Sequence, residues 1–145
     1  MCGSIASCSK RSPARETLEE GMHRGFAPLC CVVLDRGGHQ LALLRHHDAS
    51  IYRPEIAIAK AAGCLGMGFG GRELAKRAAA VPIFFNGLQA AFPKGMLPVP
   101  GGVLVRDDAG NLLGAVGVSG DTSDNDEVAA LAGIAAANLA ADTGA

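Results

Sequence analysis

Residues 98–120 read PVPGGVLVRDDAGNLLGAVGVSG, and this stretch decides the fold. Two apolar runs, 103–106 and 112–119, flank the polar segment DDAGN at 107–111. Asp, Gly and Asn are the residues that tight turns use, so the pattern predicts two antiparallel strands joined by a short turn. Such a hairpin needs further strands or helices to bury its apolar residues.

The glycine-rich ends of this hairpin form a candidate ligand site. Gly101 and Gly102 open the first strand, and Ser119 and Gly120 close the second, so antiparallel pairing brings them to one end of the sheet. Backbone amides at glycines can approach an anion or a carbonyl oxygen closely, and Thr122 would add a hydroxyl group. The alternative is that these glycines only permit tight corners between the sheet and a helix.

The acidic segment DTSDNDEVAALAG follows the hairpin directly. It predicts a helix that begins near Ser123, because acidic side chains stabilise the N-terminus of a helix. Asp126 either caps this helix or reaches the ligand site as an acid or base. The helical spacing predicts a buried face made of Val128, Leu131, Ala135 and Leu139.

The first half of the chain predicts a second hairpin with helices on both sides. PLCCVVLD and HQLALLRHH flank the turn residues RGG, and Ser12 with Pro13 is typical of a helix start before them. Pro54 can open a helix through EIAIAKAAGCLG, and GRELAKRAAAV predicts the next one. Residues 82–97 are expected to form a packed loop with a short strand or helical turn.

This order of elements predicts an α+β fold in which helices flank one antiparallel sheet. We expect a flexible N-terminal tail over residues 1–11 and a single domain over residues 12–145. The chain has 145 residues, which suits one core. Residues 82–97 are apolar in a chain this short, so we also expect them to cover a partner copy in a homo-oligomer.

Composition excludes several classes of protein. Lys and Arg number 13 against 14 Asp and Glu, a balance that gives no electrostatic reason to bind nucleic acid or an anionic membrane. No apolar run approaches the length that crosses a bilayer, so we expect a cytoplasmic protein. Among the five cysteines, Cys30 and Cys31 are adjacent in an apolar strand and point to opposite faces, which favours buried side chains over a metal or disulfide site.

Four segments in order resemble the GlcG/HbpS family, which includes the C-terminal domain of PduO-type proteins. They are VVLDRGGHQLALLR, IAIAKAA, GRELA and PVPGGVLVRDDAGNLLGAVGVSGDTSDNDEVAALAG. The resemblance covers residues 14–142 and implies a profilin-like fold, an antiparallel sheet flanked by helices, assembled into dimers or larger oligomers. It also implies a small-molecule ligand, since several relatives bind haem and some are described as haem-degrading or redox-sensing. Many members sit beside catabolic genes.

The chain departs from the family at three places. GGVLV stands where many relatives have GGVPI, GMGFGG replaces a more polar stretch before REL, and RHHDAS replaces a segment that often carries Met, Asp and Gly. The last two segments border the expected pocket. The departures therefore leave open a ligand other than haem.

Histidines are the candidate iron donors. His23 on the first helix is the candidate axial haem ligand, against the alternative of a boundary histidine on a helix surface. His46, His47 and Asp48 resemble a metal cluster, but adjacent strand residues point apart, so a polar strand end is favoured over a shared ion. His39 beside the first turn is expected to be solvated.

Lys60 and Asp126 are the candidate acid–base pair. Lys60 lies in the apolar helix EIAIAKAAG, where its amino group either reaches solvent or faces the pocket. A desolvated lysine can pair with a carboxylate or act as a base. We expect Lys60, Asp126, Gly101, Gly102 and Ser119 to surround one cavity.

Two functions follow from these residues. The first is a small oligomeric binding protein for haem or a similar anionic molecule. The alternative is a catabolic isomerase, lyase or hydrolase acting on a carbonyl or carboxylate metabolite. In that enzyme Lys60 and Asp126 would transfer protons, and the amides of Gly101 and Gly102 would hold an oxyanion. Whether the protein is an enzyme stays open at this point.

Overall fold

A computed structural model describes residues 12–145, and in this part of the chain five helices flank a five-stranded antiparallel sheet. The helices are α1 Pro13–His23, α2 Arg53–Met67, α3 Gly71–Ala80, α4 Pro82–Leu88 and α5 Ser123–Ala136. The strands are β1 Cys30–Asp35, β2 Gln40–Arg45, β3 Gly102–Arg106, β4 Leu112–Ser119 and β5 Ala140–Asp142. The predicted profilin-like α+β arrangement is confirmed. The expected tail at 1–11 lies outside the described residues, as do Cys2 and Cys8.

The two predicted hairpins form the centre of the sheet, whose strand order is β2-β1-β4-β3-β5. Both hairpins pair antiparallel, and β1 joins them by pairing with β4, with Cys30 opposite Ser119. Gly102 lies opposite Gly117 in the β3–β4 pair. The end of β4 and the start of β3 therefore lie at one end of the sheet, as the sequence predicts.

Alternation along the strands divides the core into two layers. Cys31 and Val33 of β1 point to the layer that packs against α1 and α5, whereas Cys30 and Val32 point to the layer that packs against α2. This confirms that the adjacent cysteines face opposite sides. Burial raises the pKa of the Cys31 thiol to about 12, so it stays protonated at neutral pH.

Glycines in β3 and β4 let α2 lie directly on the sheet. A Cβ atom at Gly117 would lie 2.0 Å from the carbonyl oxygen of Ala57, and one at Gly102 would lie 2.7 Å from that of Lys60. Neither distance leaves room for a side chain. The close approach fixes α2 over β3 and β4, which determines where Lys60 points.

Three expectations about local structure need correction. The buried residues of α5 are Asp126, Glu127, Ala129, Ala130, Gly133 and Ile134. Of the predicted face, Leu131 and Leu139 are half-buried and pack against the core, whereas Val128 is only half-buried and Ala135 is exposed. Gly133 packs against α1, where an added Cβ would meet the Thr17 hydroxyl oxygen at 2.1 Å, and this contact sets the face. Leu139 follows the end of α5. Residues 82–97 contain helix α4, and β5 at the sheet edge was not predicted.

Candidate functional site

Lys60 and Asp126 form a buried ion pair at the glycine-rich end of the sheet. The Lys60 Nζ atom donates to Asp126 Oδ2 at 2.8 Å, and the two residues are 2% and 1% exposed. Lys60 comes from the middle of α2 and Asp126 from the first turn of α5. The pair therefore connects the helices of the two core layers at one end of the sheet.

Asp126 has a second partner within its own loop. Its Oδ1 atom accepts the backbone N–H of Asp121 at 3.0 Å. Burial raises the pKa of the Asp126 carboxyl, and the bond to Lys60 opposes that effect. Asp126 thus folds back on the loop before α5 and also meets Lys60, whereas the side-chain cap of α5 is Thr122. A role for Asp126 as an acid or base stays a prediction.

Gly101 packs directly against this ion pair, and Gly102 packs against the α2 backbone at Lys60. A Cβ atom at Gly101, where φ is +102°, would lie 2.9 Å from Lys60 Nζ and 3.0 Å from Asp126 Cβ. A Cβ at Gly102 would lie 2.7 Å from Cys64 Sγ. The structure therefore brings these residues together as predicted, but they fill the space with close contacts. Roles for them in catalysis or ligand binding stay predictions.

The remaining members of the predicted site make structural contacts. Ser119 is fully buried and its hydroxyl accepts a hydrogen bond from Arg53 Nη1 at 3.2 Å. Gly120 lies against the chain before β1, where an added Cβ would be 2.3 Å from the Pro28 carbonyl oxygen. Thr122 caps α5, because its hydroxyl accepts the backbone N–H of Asn125 at 3.2 Å.

The histidines lie away from the ion pair. His23 ends α1 and is exposed, and α1 packs on the side of the sheet opposite to α2. The expectation that His46 and His47 point apart is wrong, because β2 ends at Arg45 and both residues belong to the following turn. Their rings stack, with centroids 4.4 Å apart and planes at 25°.

An open cleft along the outer side of α2 was missed by the sequence analysis. It consists of two adjoining cavities of about 500 and 270 Å³ that share Lys94 and Gly95. Apolar α2 residues in its lining recur at helical spacing, and they are Ile56, Ala59, Ala62 and Leu65. These residues form a second apolar stripe on α2, beside the stripe that faces the sheet. This stripe is the sequence feature that could have predicted the cleft.

Two cationic side chains line this cleft. Arg36 from the β1–β2 turn and Lys94 line the smaller cavity, and Lys94 Nζ donates to the carbonyl of Gly38. Tyr52 and Glu55 line the larger cavity near the N-terminus of α2. The cleft therefore combines an apolar wall with two cations, Arg36 and Lys94, and one carboxylate, that of Glu55. Such a lining can hold a largely apolar molecule that bears anionic groups.

The family model described as haem degrading protein HbpS-like matches residues 13–135. The chain belongs to the HbpS-like family. No curated protein sequence matches it. The match extends from the first residue of α1 to the last turn of α5, so it includes both hairpins, the ion pair and the cleft of this HbpS-like chain.

Solved structures agree with the family match. The HbpS-like chain superposes on a PduOC–haem complex with a TM-score of 0.78 and 25% identity, covering 88% of this chain and 91% of that one. It superposes on HbpS with a TM-score of 0.73 and 29% identity, covering 93% and 88% of the two chains. A double mutant of Streptomyces reticuli HbpS gives a TM-score of 0.74 at 29% identity, covering 93% and 85%.

Proposed function

We propose that this HbpS-like chain binds haem. The observation that carries the proposal is the family match over residues 13–135, joined by the likeness to a domain whose structure is a haem complex. The composition supports a small-molecule ligand over nucleic acid, given its balanced charge. None of the helices within residues 12–145 is long and apolar enough to cross a membrane.

The cleft beside α2 is the place we assign to the macrocycle. Its apolar wall matches the faces of a porphyrin, and Arg36 with Lys94 supplies two cations for the propionate groups. The Lys60–Asp126 pair is almost fully buried and Gly101 packs against it, so it offers the macrocycle no exposed surface. We therefore move the proposed ligand from the glycine-rich end of the sheet to the outer side of α2.

His23 remains the proposed iron donor, and its position has a consequence for assembly. The cleft lies beyond α2, whereas His23 ends α1 on the other side of the sheet. A haem in the cleft can meet His23 only if that residue comes from another copy of the chain. We accordingly propose a homo-oligomer, supported by the exposed apolar side chains of Val81, Ile83 and Phe84 around α4.

Chemical protection of Tyr52 tests the binding and its place together. Tyr52 is the single tyrosine of the chain and lines the cleft with 69% of its surface exposed. Saturating haem should protect it from acetylation by N-acetylimidazole, as read by mass spectrometry. Lys94→Ala should weaken haem binding several-fold, while Lys76→Ala on α3 serves as the matched control. Full acetylation of Tyr52 under saturating haem would place the ligand elsewhere.

A catabolic enzyme acting on a carbonyl or carboxylate metabolite is the second candidate. One observation favours it, namely a buried lysine–carboxylate pair in which burial raises the pKa of Asp126. A colourless protein that turns over such a metabolite, with turnover lost in Asp126→Asn and the fold retained, would support this candidate over haem binding. Cytoplasmic location and a place in a catabolic pathway stay predictions for either function.

A further inference from the structure

Hydrogen bonds to its backbone groups hold the turn after β2 in place. The guanidinium of Arg45 donates from Nη1 to the carbonyl oxygens of His46, His47 and Ala49, at 3.2, 3.3 and 2.5 Å. The backbone N–H of His46 donates to the Leu29 carbonyl at 2.9 Å, and Ala49 is buried. The three side chains between Arg45 and Ala49 therefore project from a preorganised turn.

These three side chains carry donor atoms that lie close together. One nitrogen of each imidazole and a carboxylate oxygen of Asp48 are all within 4.8 Å of one another. His47 Nε2 lies 3.2 Å from Asp48 Oδ2, and His46 Nδ1 accepts the backbone N–H of Asp48 at 3.2 Å.

We propose that His46, His47 and Asp48 form a binding site for a divalent transition-metal ion of the zinc class. Two imidazoles and one carboxylate match the donors that Zn²⁺ takes, at about 2.0–2.2 Å from the metal. The His47 and Asp48 side chains are 81% and 67% exposed, so they can rotate over the short distance that ligation requires. Because the Arg45 guanidinium bonds to the turn carbonyls, its charge is partly offset there.

The site shares no residue with the haem proposal and lies apart from the cleft. None of the three donors lines the cleft beside α2, and His46 instead lines a small cavity with Met22 and Phe26. The simpler explanation of the cluster is a surface ion pair between His47 and Asp48, which would contribute little stability. The ion pair does not involve His46, whereas metal binding requires a nitrogen of His46 as a third ligand.

Zinc titration of the haem-free protein, with reactive thiols first alkylated by iodoacetamide, tests the site. Long-range ¹H–¹⁵N spectra of the imidazoles should show that Zn²⁺ shifts His46 and His47 and leaves His39 unmoved. Calorimetry should show one zinc site whose affinity falls by at least about tenfold in His47→Ala. Even the loss of a residue that only hydrogen-bonds to a metal ligand lowers metal affinity by about that factor. His39→Ala, in the β1–β2 turn, is the matched control and should bind as the wild type does.

Any of three results would overturn the proposal. One is a spectrum in which His46 and His47 do not move at saturating Zn²⁺. A second is unchanged zinc affinity in both His46→Ala and His47→Ala. An affinity that falls equally in His39→Ala would also contradict it, because that outcome describes weak binding to any exposed histidine. The substitutions lie in an exposed turn, so far-ultraviolet circular dichroism suffices to confirm that each variant is folded.

Discussion

The Lys60 amino group lies 2.8 Å from the Asp126 carboxylate, and both residues are almost fully buried. This contact links α2 on one side of the sheet to the start of α5 on the other. Gly101 packs against it, and the low exposure of both residues shows that the pair is shielded from solvent. Removing either member of this ion pair should therefore change the free energy of unfolding, whether or not the pair also takes part in a reaction.

A double-mutant cycle measures how strongly this pair is coupled. Lys60→Met and Asp126→Leu should each lower the free energy of unfolding by about 3–5 kcal/mol, because each leaves an uncompensated buried charge. The double variant should lose much less than the sum, since no buried charge remains. Urea denaturation followed by circular dichroism gives all four values. Additive losses would mean that the two side chains do not interact.

Asp121 should make stability depend on pH in acid. Its carboxylate accepts the backbone N–H groups of Ala27 at 2.6 Å and Thr122 at 2.7 Å, and these bonds hold its pKa below the usual range. A depressed pKa stabilises the folded protein above the ordinary pKa of about 3.9, and this contribution is lost as pH falls through the lowered folded-state value. We expect Asp121→Asn to be less stable than wild type at pH 7.

The stability difference between wild type and Asp121→Asn should narrow as the pH falls from 5 towards 2. Urea unfolding at several pH values measures it. Asp108, which is exposed in the β3–β4 turn, provides the control as Asp108→Asn. A difference that widened in acid would show that the Asp121 carboxylate is not stabilised by these bonds.

Gly117 should not tolerate a side chain. A Cβ atom there would lie 2.0 Å from the Ala57 carbonyl oxygen, so Gly117→Ala should force α2 off the sheet and cost roughly 1–3 kcal/mol or more. Gly87→Ala is the control, because Gly87 lies in α4 with open space around its Cβ position. The free energy of unfolding of this variant should be unchanged or higher by up to about 1 kcal/mol. Thermal unfolding compares the two, and equal stabilities would contradict the packing described.

The exposed apolar side chains around α4 should mediate assembly. Ile83 is 88% exposed and Phe84 55% exposed, although residues of this kind are usually buried. The double variant Ile83→Glu/Phe84→Glu should shift a wild-type oligomer towards monomer in light scattering. Ile51→Glu, at another exposed apolar residue, is the control. A wild type that is monomeric at micromolar concentration would refute the assembly proposal.

The sequence predicts the sheet well because its signals are local. Alternating apolar runs and the DDAGN and RGG turns define both hairpins, and Ser12 with Pro13 defines the start of α1. The prediction of the buried face of α5 was wrong for a physical reason. That helix is rich in alanine, so its sequence has little amphipathic contrast, and the close contact of Gly133 with Thr17 decides which side packs.

The candidate site was predicted only in part, because contacts between distant elements decide it. Antiparallel pairing predicted that Gly101, Gly102 and Ser119 share one end of the sheet, close to Asp126. The meeting with Lys60 required in addition that its helix pack over that end. The expected cavity among them did not follow from this pairing, because the sequence does not show how closely α2 approaches at Gly102 and Gly117. The cleft needs α2, the β1–β2 turn and residues 92–97 together, which no local pattern reveals.

The His46–His47–Asp48 cluster illustrates the importance of element ends. Treating residues 46 and 47 as strand residues predicts that their side chains point apart. The strand ends two residues earlier, at Arg45, and the two rings stack in the turn that follows. A boundary error of two residues therefore reversed the geometric conclusion about this cluster.

Haem titration followed by absorption spectroscopy tests the central claim most directly. The wild-type protein should produce a saturable Soret band, and His23→Ala should shift the band because it removes the proposed iron donor. His39→Ala, which removes another exposed histidine, should leave the band unchanged. A Soret band that rises without saturation, as free haem gives with an unrelated apolar protein, would contradict haem binding by this chain.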